Sequence, residues 1–406
     1  MLTLVDVERA QARIAGQVRR TPLSESAALS RLAGCQVHLK LENLQFTGSF
    51  KERGAASRLL SLAAEERARG VITASAGNHA QALALHAYRL GIGCSVVMPE
   101  ATPFVKVRAT ESHGARVILH GSGYDEAAER AAQLASESGA VYVHPFDDLE
   151  VMAGQGTIAL ELLEQLPTCD AVIVPVGGGG LIAGIATVLR ARAPQVRIIG
   201  VESRTFPGMR RALEAEPRAS LVPLPGGKTI ADGIAVRNVG RLAREVVVAH
   251  GFEIELVDEE EIAEAILLLL ERERTVAEGA GAVGIAALLH RDLGLAGKRV
   301  AVVISGGNID VNLISRVIER GMVKSGRLCR LSITARDVVG TLHGITGAVA
   351  EARANIVSIE HDRAFSGVEL GHTRVELVIE THGPEHISLV EAELTRAGLA
   401  FQRDGG

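Results

Sequence analysis

An amine, a glycine cradle and a small polar loop recur along this chain where chemistry could be done. Lys51 ends the stretch Thr47-Gly48-Ser49-Phe50-Lys51, which follows an apolar, strand-like run at 37–41. A lysine at a strand-to-helix junction, behind a glycine and a serine, can be held stiffly with its amine partly buried. Burial disfavours the ammonium, and an uncharged amine attacks an aldehyde, so the position suits Schiff-base chemistry. On its own the same string also reads as a solvated lysine opening a helix.

Three further loops carry unusual residues. Ser75-Ala76-Gly77-Asn78-His79-Ala80-Gln81 follows a strand-like run at 70–73 and opens a helix. Its small residues let backbone N–H groups and the Ser75 and Asn78 side chains approach an anion. His79 by itself reads equally as a helix-start residue. The second loop is Gly177-Gly178-Gly179-Gly180-Leu181, between the apolar run 171–176 and a helix expected at 182–191. Consecutive glycines at such a junction expose N–H donors at the positive end of a helix, where phosphate is the natural guest. The run does not satisfy G-x-G-x-x-G, and Gly227-Lys228-Thr229 lacks the first glycine of a P-loop because Val222 stands there. Dinucleotide and nucleoside-triphosphate readings weaken accordingly. The third loop, Ser305-Gly306-Gly307-Asn308, places a hydroxyl at a strand end, within reach of an aromatic ring nitrogen; alone it reads as a turn. Glu278, before Gly279-Ala280-Gly281-Ala282, is either a buried acid or a first-turn carboxylate that suits the helix dipole.

The elements that must position these residues alternate. Strand-like runs at 37–41, 70–73, 94–98, 115–119, 141–144, 171–176, 197–201, 253–257 and 299–304 are separated by helical segments. Such alternation predicts an α/β fold of parallel sheets covered on both faces, with ligand loops at the carboxyl ends of the strands. A helix is expected from the cap at Thr3 through Val7, Ala10, Ile14 and Val18, ending before Pro22.

Composition narrows the class. The 406 residues are 47% apolar and 22% charged, ordinary for a globular protein large enough for two or three cores. The net charge of -5, with no basic run, gives no nucleic-acid or anionic-membrane surface. The 4 cysteines include no C-x-x-C pair, which argues against a disulfide framework or structural zinc. The first residues lack a basic segment followed by an apolar core, and no apolar run spans a bilayer, so a cytoplasmic protein is expected.

In this order, Lys51, the Ser75–Gln81 loop, the tetraglycine and Ser305 make the chain resemble the pyridoxal-phosphate enzymes of the tryptophan-synthase β fold (fold type II), specifically the threonine dehydratases. The resemblance runs to about Val323 and rests on the motifs jointly. It implies pyridoxal 5'-phosphate carried on Lys51, with Phe50 beside it and Asn78 near the phenolic oxygen. It places phosphate on Gly177, Gly178, Gly179, Gly180 and Leu181, and Glu278 in the cofactor site. Ser305 would face the pyridine nitrogen, and a neutral serine there makes a weaker electron sink, favouring elimination over transamination. The substrate carboxylate would sit on Ser75, Ala76, Gly77, Asn78 and His79. The implied reaction converts L-threonine to 2-oxobutanoate and ammonia by β-elimination of water, with Lys51 as base and L-serine as second substrate. The layout implied is a catalytic domain at 1–321 with a smaller subdomain inserted at about 53–146.

Alternatives stand beside this: a serine or threonine racemase, a 3-hydroxyaspartate dehydratase, or a non-catalytic amino-acid sensor. The related racemases carry a serine directly before the Gly-Asn pair as proton donor, and here that residue is Ala76. A cation is implied in this group at Glu202 with Phe206 and Gly208; lacking a second carboxylate, the positions leave room for a monovalent ion only. A homodimer or homotetramer is expected.

After a polar linker at 322–327 the pattern changes to strand 328–334, helix 341–354, strands 356–363 and 373–380, helix 384–397 and strand 399–402. This βαββαβ order is ferredoxin-like. Its turn at Asp337, Gly340 and Leu342 resembles the ligand turn of ACT regulatory domains, which implies an ACT-like domain at 328–406 that binds an amino-acid effector, beside a purely dimerising role.

Overall fold

The computed structural model describes residues 1–214, 227–362 and 367–404, so Val222 and Arg363, the expected end of one strand, lie outside the described residues. The chain divides into two compact units, Met1–Ile309 and Asp310–Gly406.

Two sheets organise the first unit. One has the order β1-β2-β10-β7-β8-β9, built from β1 (Leu23–Ser26), β2 (Gln36–Leu41), β7 (Ala171–Pro175), β8 (Arg197–Ser203), β9 (Glu253–Val257) and β10 (Arg299–Ile304). All neighbours are parallel except β1, which runs antiparallel to β2. Every residue of β7 is buried, as its unbroken apolar run requires of a strand covered on both faces. The smaller sheet has the order β5-β4-β3-β6 and is wholly parallel, from β3 (Val71–Ala74), β4 (Cys94–Met98), β5 (Arg116–Leu119) and β6 (Val141–Tyr142).

Helices pack unusually close beneath the larger sheet. Leu149–Gln165 meets Gly180–Arg192 where a Cβ at Gly156 would come within 2.8 Å of the Gly184 carbonyl. The side-chain-free contact sets the tetraglycine helix directly on its neighbour.

Three expectations need correction. The opening helix is Leu4–Ile14 and does not reach Val18, because Gly16 turns left-handed at φ +75°. The helix after the glycines starts at Gly180 rather than 182, so the cradle includes its first turn. β1 went unpredicted because a four-residue edge strand with one apolar residue carries no alternation to detect.

In the second unit, β11 (Leu328–Arg336), β12 (Asn355–Asp362), β13 (His372–Glu380) and β14 (Ala400–Arg403) form an antiparallel sheet ordered β12-β13-β11-β14. With helices Thr341–Glu351 and Pro384–Arg396 the order is βαββαβ, and Leu331, Ile345, Leu377 and Val390 lie in its core. The segment expected as linker begins inside the helix Val311–Lys324. Among the described residues, no helix is long and apolar enough to cross a membrane.

Candidate active site

Lys51 is the first residue of the helix Lys51–Ser61. The loop before it is zipped to the loop after β10. Ser49 and Gly306 form an antiparallel bridge, Phe50 N–H donates to the Ser305 carbonyl at 3.0 Å, and Gly307 N–H donates to Gly48 at 2.9 Å. Two segments more than 250 residues apart in sequence thus behave as one piece. The half-buried Lys51 Nζ donates to the Pro145 carbonyl at 2.8 Å. Burial lowers its pKa to about 8, with the Glu278 carboxylate pulling the other way. Roughly a tenth of the amine is therefore uncharged at neutral pH.

The segment that receives the Lys51 amine also touches the glycines. A Cβ at Gly178 would enter the Phe146 ring, one at Gly180 would lie 2.7 Å from the Phe146 carbonyl, and one at Gly177 would lie 2.9 Å from Ile234. Gly179 adopts φ +94°, which a side chain rarely tolerates. The first helical hydrogen bond runs from Ala183 N–H to the Gly179 carbonyl at 2.9 Å. Among the described residues, the N–H groups at 177–182, Leu181 included, have no protein acceptor. They form a donor nest at the positive end of a buried helix.

The third loop closes the site from the smaller sheet. Ser75 Oγ accepts from Gly77 N–H at 3.3 Å, and Asn78 starts the helix Asn78–Arg89. A Cβ at Gly77 would meet nothing within 4 Å, so space lies open beside the loop, while Ala76 packs toward the core of that subdomain. Asn78 Nδ2 donates to Glu278 Oε1 at 2.7 Å, and Asn78 Oδ1 accepts from Asn308 Nδ2 at 2.8 Å. Asn308 also donates to the Thr47 carbonyl at 2.6 Å. Burial, reinforced by Asp232, raises the Glu278 pKa to about 7. His79 is pushed down to about 3 by burial and by Lys51, so it is neutral at physiological pH; its Nε2 faces the Val143 carbonyl at 3.3 Å.

Sequence reasoning located Lys51, the three loops and Glu278, and the structure brings them together. It missed Pro145, Phe146 and Asn308, which join them. Asn308 had a signal, being a polar residue closing a Gly-Gly strand-end loop; a backbone carbonyl such as that of Pro145 has none. Glu202 is fully buried, its carboxylate accepts from Met209 N–H at 2.7 Å and Arg210 N–H at 2.9 Å, and burial raises its pKa to about 7. It caps the helix Gly208–Glu214, which Gly208 opens and Phe206 precedes by two residues. Among the described residues no group of three metal-ligating side chains occurs. In the second unit, Asp337 N–H donates to the Gly371 carbonyl at 2.9 Å, Gly340 takes φ +95°, and Leu342 is 36% exposed.

The residues fit a phosphorylated aldehyde. An amine with a lowered pKa, a nest of unfilled N–H donors joined to it through Pro145–Phe146, and the buried Ser305, whose carbonyl holds the lysine loop, lie together. Ser49 Oγ and His79 Nδ1 are buried without a protein partner, the kind of orphan that a bound polar group satisfies.

Comparisons with known proteins bear on that fit. The profile of a family described as pyridoxal-phosphate dependent enzyme matches residues 14–306. A protein described as L-threonine ammonia-lyase from Thermotoga maritima is 47% identical over 398 residues, 98% of either chain. The solved structure of the processed form of threonine deaminase isoform 2 from Solanum lycopersicum is similar with a TM-score of 0.74 and 37% identity, covering 78% of this chain and 91% of that one. Maize serine racemase is similar with a TM-score of 0.74 and 32% identity, covering 80% of this chain and 98% of that one.

Proposed function

The chain belongs to the pyridoxal-phosphate-dependent enzymes, and on that premise we propose that it deaminates L-threonine to 2-oxobutanoate and ammonia, with L-serine as a second substrate. The carrying observation is the Lys51 amine, poised on the Pro145 carbonyl between the donor nest at 177–182 and the Ser75–His79 loop.

Bound pyridoxal phosphate supplies an aldehyde for the covalent link and an electron sink for the pair left when the α-proton departs. The N–H groups at 177–182 hold its phosphate, and Ser305 offers the ring nitrogen a neutral hydroxyl. Lys51 provides the linking amine. Displaced by the substrate amine, Lys51 Nζ takes the α-proton as general base, a role worth about 10² to 10⁴ in rate. The Pro145 carbonyl then receives one N–H of the resulting ammonium. The loop from Ser75 to His79 binds the substrate carboxylate, and the Glu278–Asn78–Asn308 chain holds that loop against the lysine loop. The proton gained by Lys51 would leave, net, with the β-hydroxyl as water, and the amine so freed would displace an enamine that hydrolyses to the 2-oxoacid and ammonia.

Ala76 favours elimination over racemisation: it has no hydroxyl to return a proton from the opposite face. We read the second unit as ACT-like and amino-acid binding, on its βαββαβ order and the turn at Asp337–Leu342, with branched-chain amino acids as inhibitors. Unchanged kinetics across millimolar isoleucine and valine would remove that reading.

The main test is 2-oxoacid release from L-threonine, L-serine, D-serine and threo-3-hydroxyaspartate by the cofactor-loaded enzyme. Fast release from L-threonine, slower from L-serine, is expected. D-allo-threonine from L-threonine, or D-serine from L-serine, appearing without oxoacid would mean a racemase, and no turnover with cofactor bound would mean a sensor.

A further inference from the structure

We propose that Arg53 is a positioning residue for Lys51, and that a buried four-charge network sets the helix Lys51–Ser61 in register with the strand end at Leu41 and the helix Leu149–Gln165. The inference rests on Lys51 being the cofactor-linking base, as proposed above. Lys51 and Arg53 are two positions apart, about 200° around a helix, so Arg53 points away from the cleft that Lys51 faces.

Arg53 is fully buried, and each of its five N–H donors finds an acceptor. Nε donates to Glu42 Oε2 at 2.8 Å, and Nη2 to Glu42 Oε1 at 2.8 Å and Glu161 Oε2 at 2.9 Å. Nη1 donates to Glu161 Oε1 at 2.7 Å and Thr157 Oγ1 at 3.1 Å. Lys40 completes the set, donating to Glu161 Oε2 at 2.6 Å, the Thr21 carbonyl at 2.8 Å and Gln165 Oε1 at 3.0 Å. Two cations and two carboxylates cancel. Buried ion pairs add little net stability over well-packed apolar side chains, whereas a planar five-donor fork admits one geometry.

Two further features say that geometry matters here. The helix Lys51–Ser61 has no side-chain N-cap, so its first turn is held by the Glu52 carboxylate, which accepts from Thr47 N–H, and by the network around Arg53. Its contact with Leu149–Gln165 is glycine-thin on both sides, since a Cβ at Gly54 would lie 2.8 Å from the Val151 carbonyl and one at Gly154 would lie 2.7 Å from the Gly54 Cα. Across that contact Gln155 Oε1 accepts from Gly54 N–H at 3.2 Å, and Arg53 is the charged peg beside it. Displacing a reacting group by about 1 Å costs roughly 10²-fold in rate.

The test compares the intact enzyme with Arg53→Lys, Thr157→Val and the charge-balanced pair Arg53→Met/Glu42→Gln, which leaves Lys40 matched to Glu161. Three readouts are taken: the rate at which cofactor-free enzyme captures pyridoxal phosphate, followed by visible absorbance; kcat and KM for L-threonine; and melting temperature. In the double variant, capture and kcat are expected to fall about 10- to 100-fold. KM should stay within roughly threefold. Arg53→Lys should fall in between, and Thr157→Val, which removes one acceptor, should slow capture about two- to fivefold while folding normally. Wild-type capture and kcat in a folded double variant would overturn the proposal, as would an unaffected Thr157→Val should the others not fold. Capture reports on Lys51 whatever the enzyme's substrate proves to be, so failure of the threonine reading would show separately.

Discussion

Two buried regions of this enzyme hold opposite charges a few residues apart and treat them in opposite ways. Around Arg53, burial works against ionisation, but Arg53 and Lys40 hold the Glu42 carboxyl below its usual range, and Glu42 and Glu161 hold the guanidinium above its own. Around Lys51, burial wins. The amine falls to about 8 and the Glu278 carboxyl rises to about 7. Lys40 lies between the cases, lowered by burial against the pull of Glu161 and Glu42. Arg53 is more deeply buried than Lys51, so depth does not explain the contrast; pairing does. Arg53 shares four hydrogen bonds with two carboxylates, whereas Lys51 has one carbonyl acceptor and Glu278 an amide. Complete pairing makes charges structural; incomplete pairing leaves them close to neutrality at working pH, where they can exchange protons.

Changes that break the contrast should have effects in this order. Lys51→Ala removes the linking amine and the base together, so turnover should fall by about 10⁴ or more, and dialysis should strip a cofactor no longer covalently held. Glu42→Gln leaves Arg53 half-paired in the interior, and denaturant titration at neutral pH should show a loss of about 3–5 kcal/mol. The depressed folded-state pKa gives the sign of its pH dependence: Glu42 stabilises above its unfolded pKa, so the gap between variant and parent should narrow as pH falls through the acid range.

Glu278→Gln should do the reverse. A raised folded-state pKa means the carboxyl's favourable contribution is full below about 4.5 and is lost as pH rises through about 7. The cofactor-free Gln variant should therefore match its parent at pH 4.5 and exceed it at pH 8 by on the order of 3 kcal/mol. Equal stability at both pH values would show that Glu278 is not held near neutrality. The smallest effect belongs to the exposed ion pair between Lys106 and Asp232, 2.8 Å apart. Lys106→Ala should change the melting free energy by no more than about 1 kcal/mol, and added salt should erase the difference.

The contrast also marks what could be read from the sequence. Lys51, the tetraglycine and Ser305 were legible because reactive groups sit at strand-to-helix junctions whose periodicity announces them. The parallel strands were legible for the same reason, as unbroken apolar runs. The Arg53 network was not: Lys40, Glu42 and Arg53 look like ordinary surface charges flanking a strand, and only the arrival of Glu161 from a helix more than 100 residues later buries them. Nor does local sequence show that Asn308 ties the lysine loop to Asn78, since that bond depends on two loops meeting in space. The early stop of the first helix at Ile14 turns on one left-handed glycine, Gly16, which the apolar spacing through Val18 concealed.

The most direct test of the account is the titration of Lys51 in the cofactor-free enzyme, by competitive labelling of amines across pH with each lysine quantified by mass spectrometry. An apparent pKa of about 8 for Lys51, with Lys40 unlabelled until the protein unfolds, is the predicted result. Titration of Lys51 near the ordinary lysine value of 10.5 would contradict it, because the amine would then be no readier to react than any lysine on the surface.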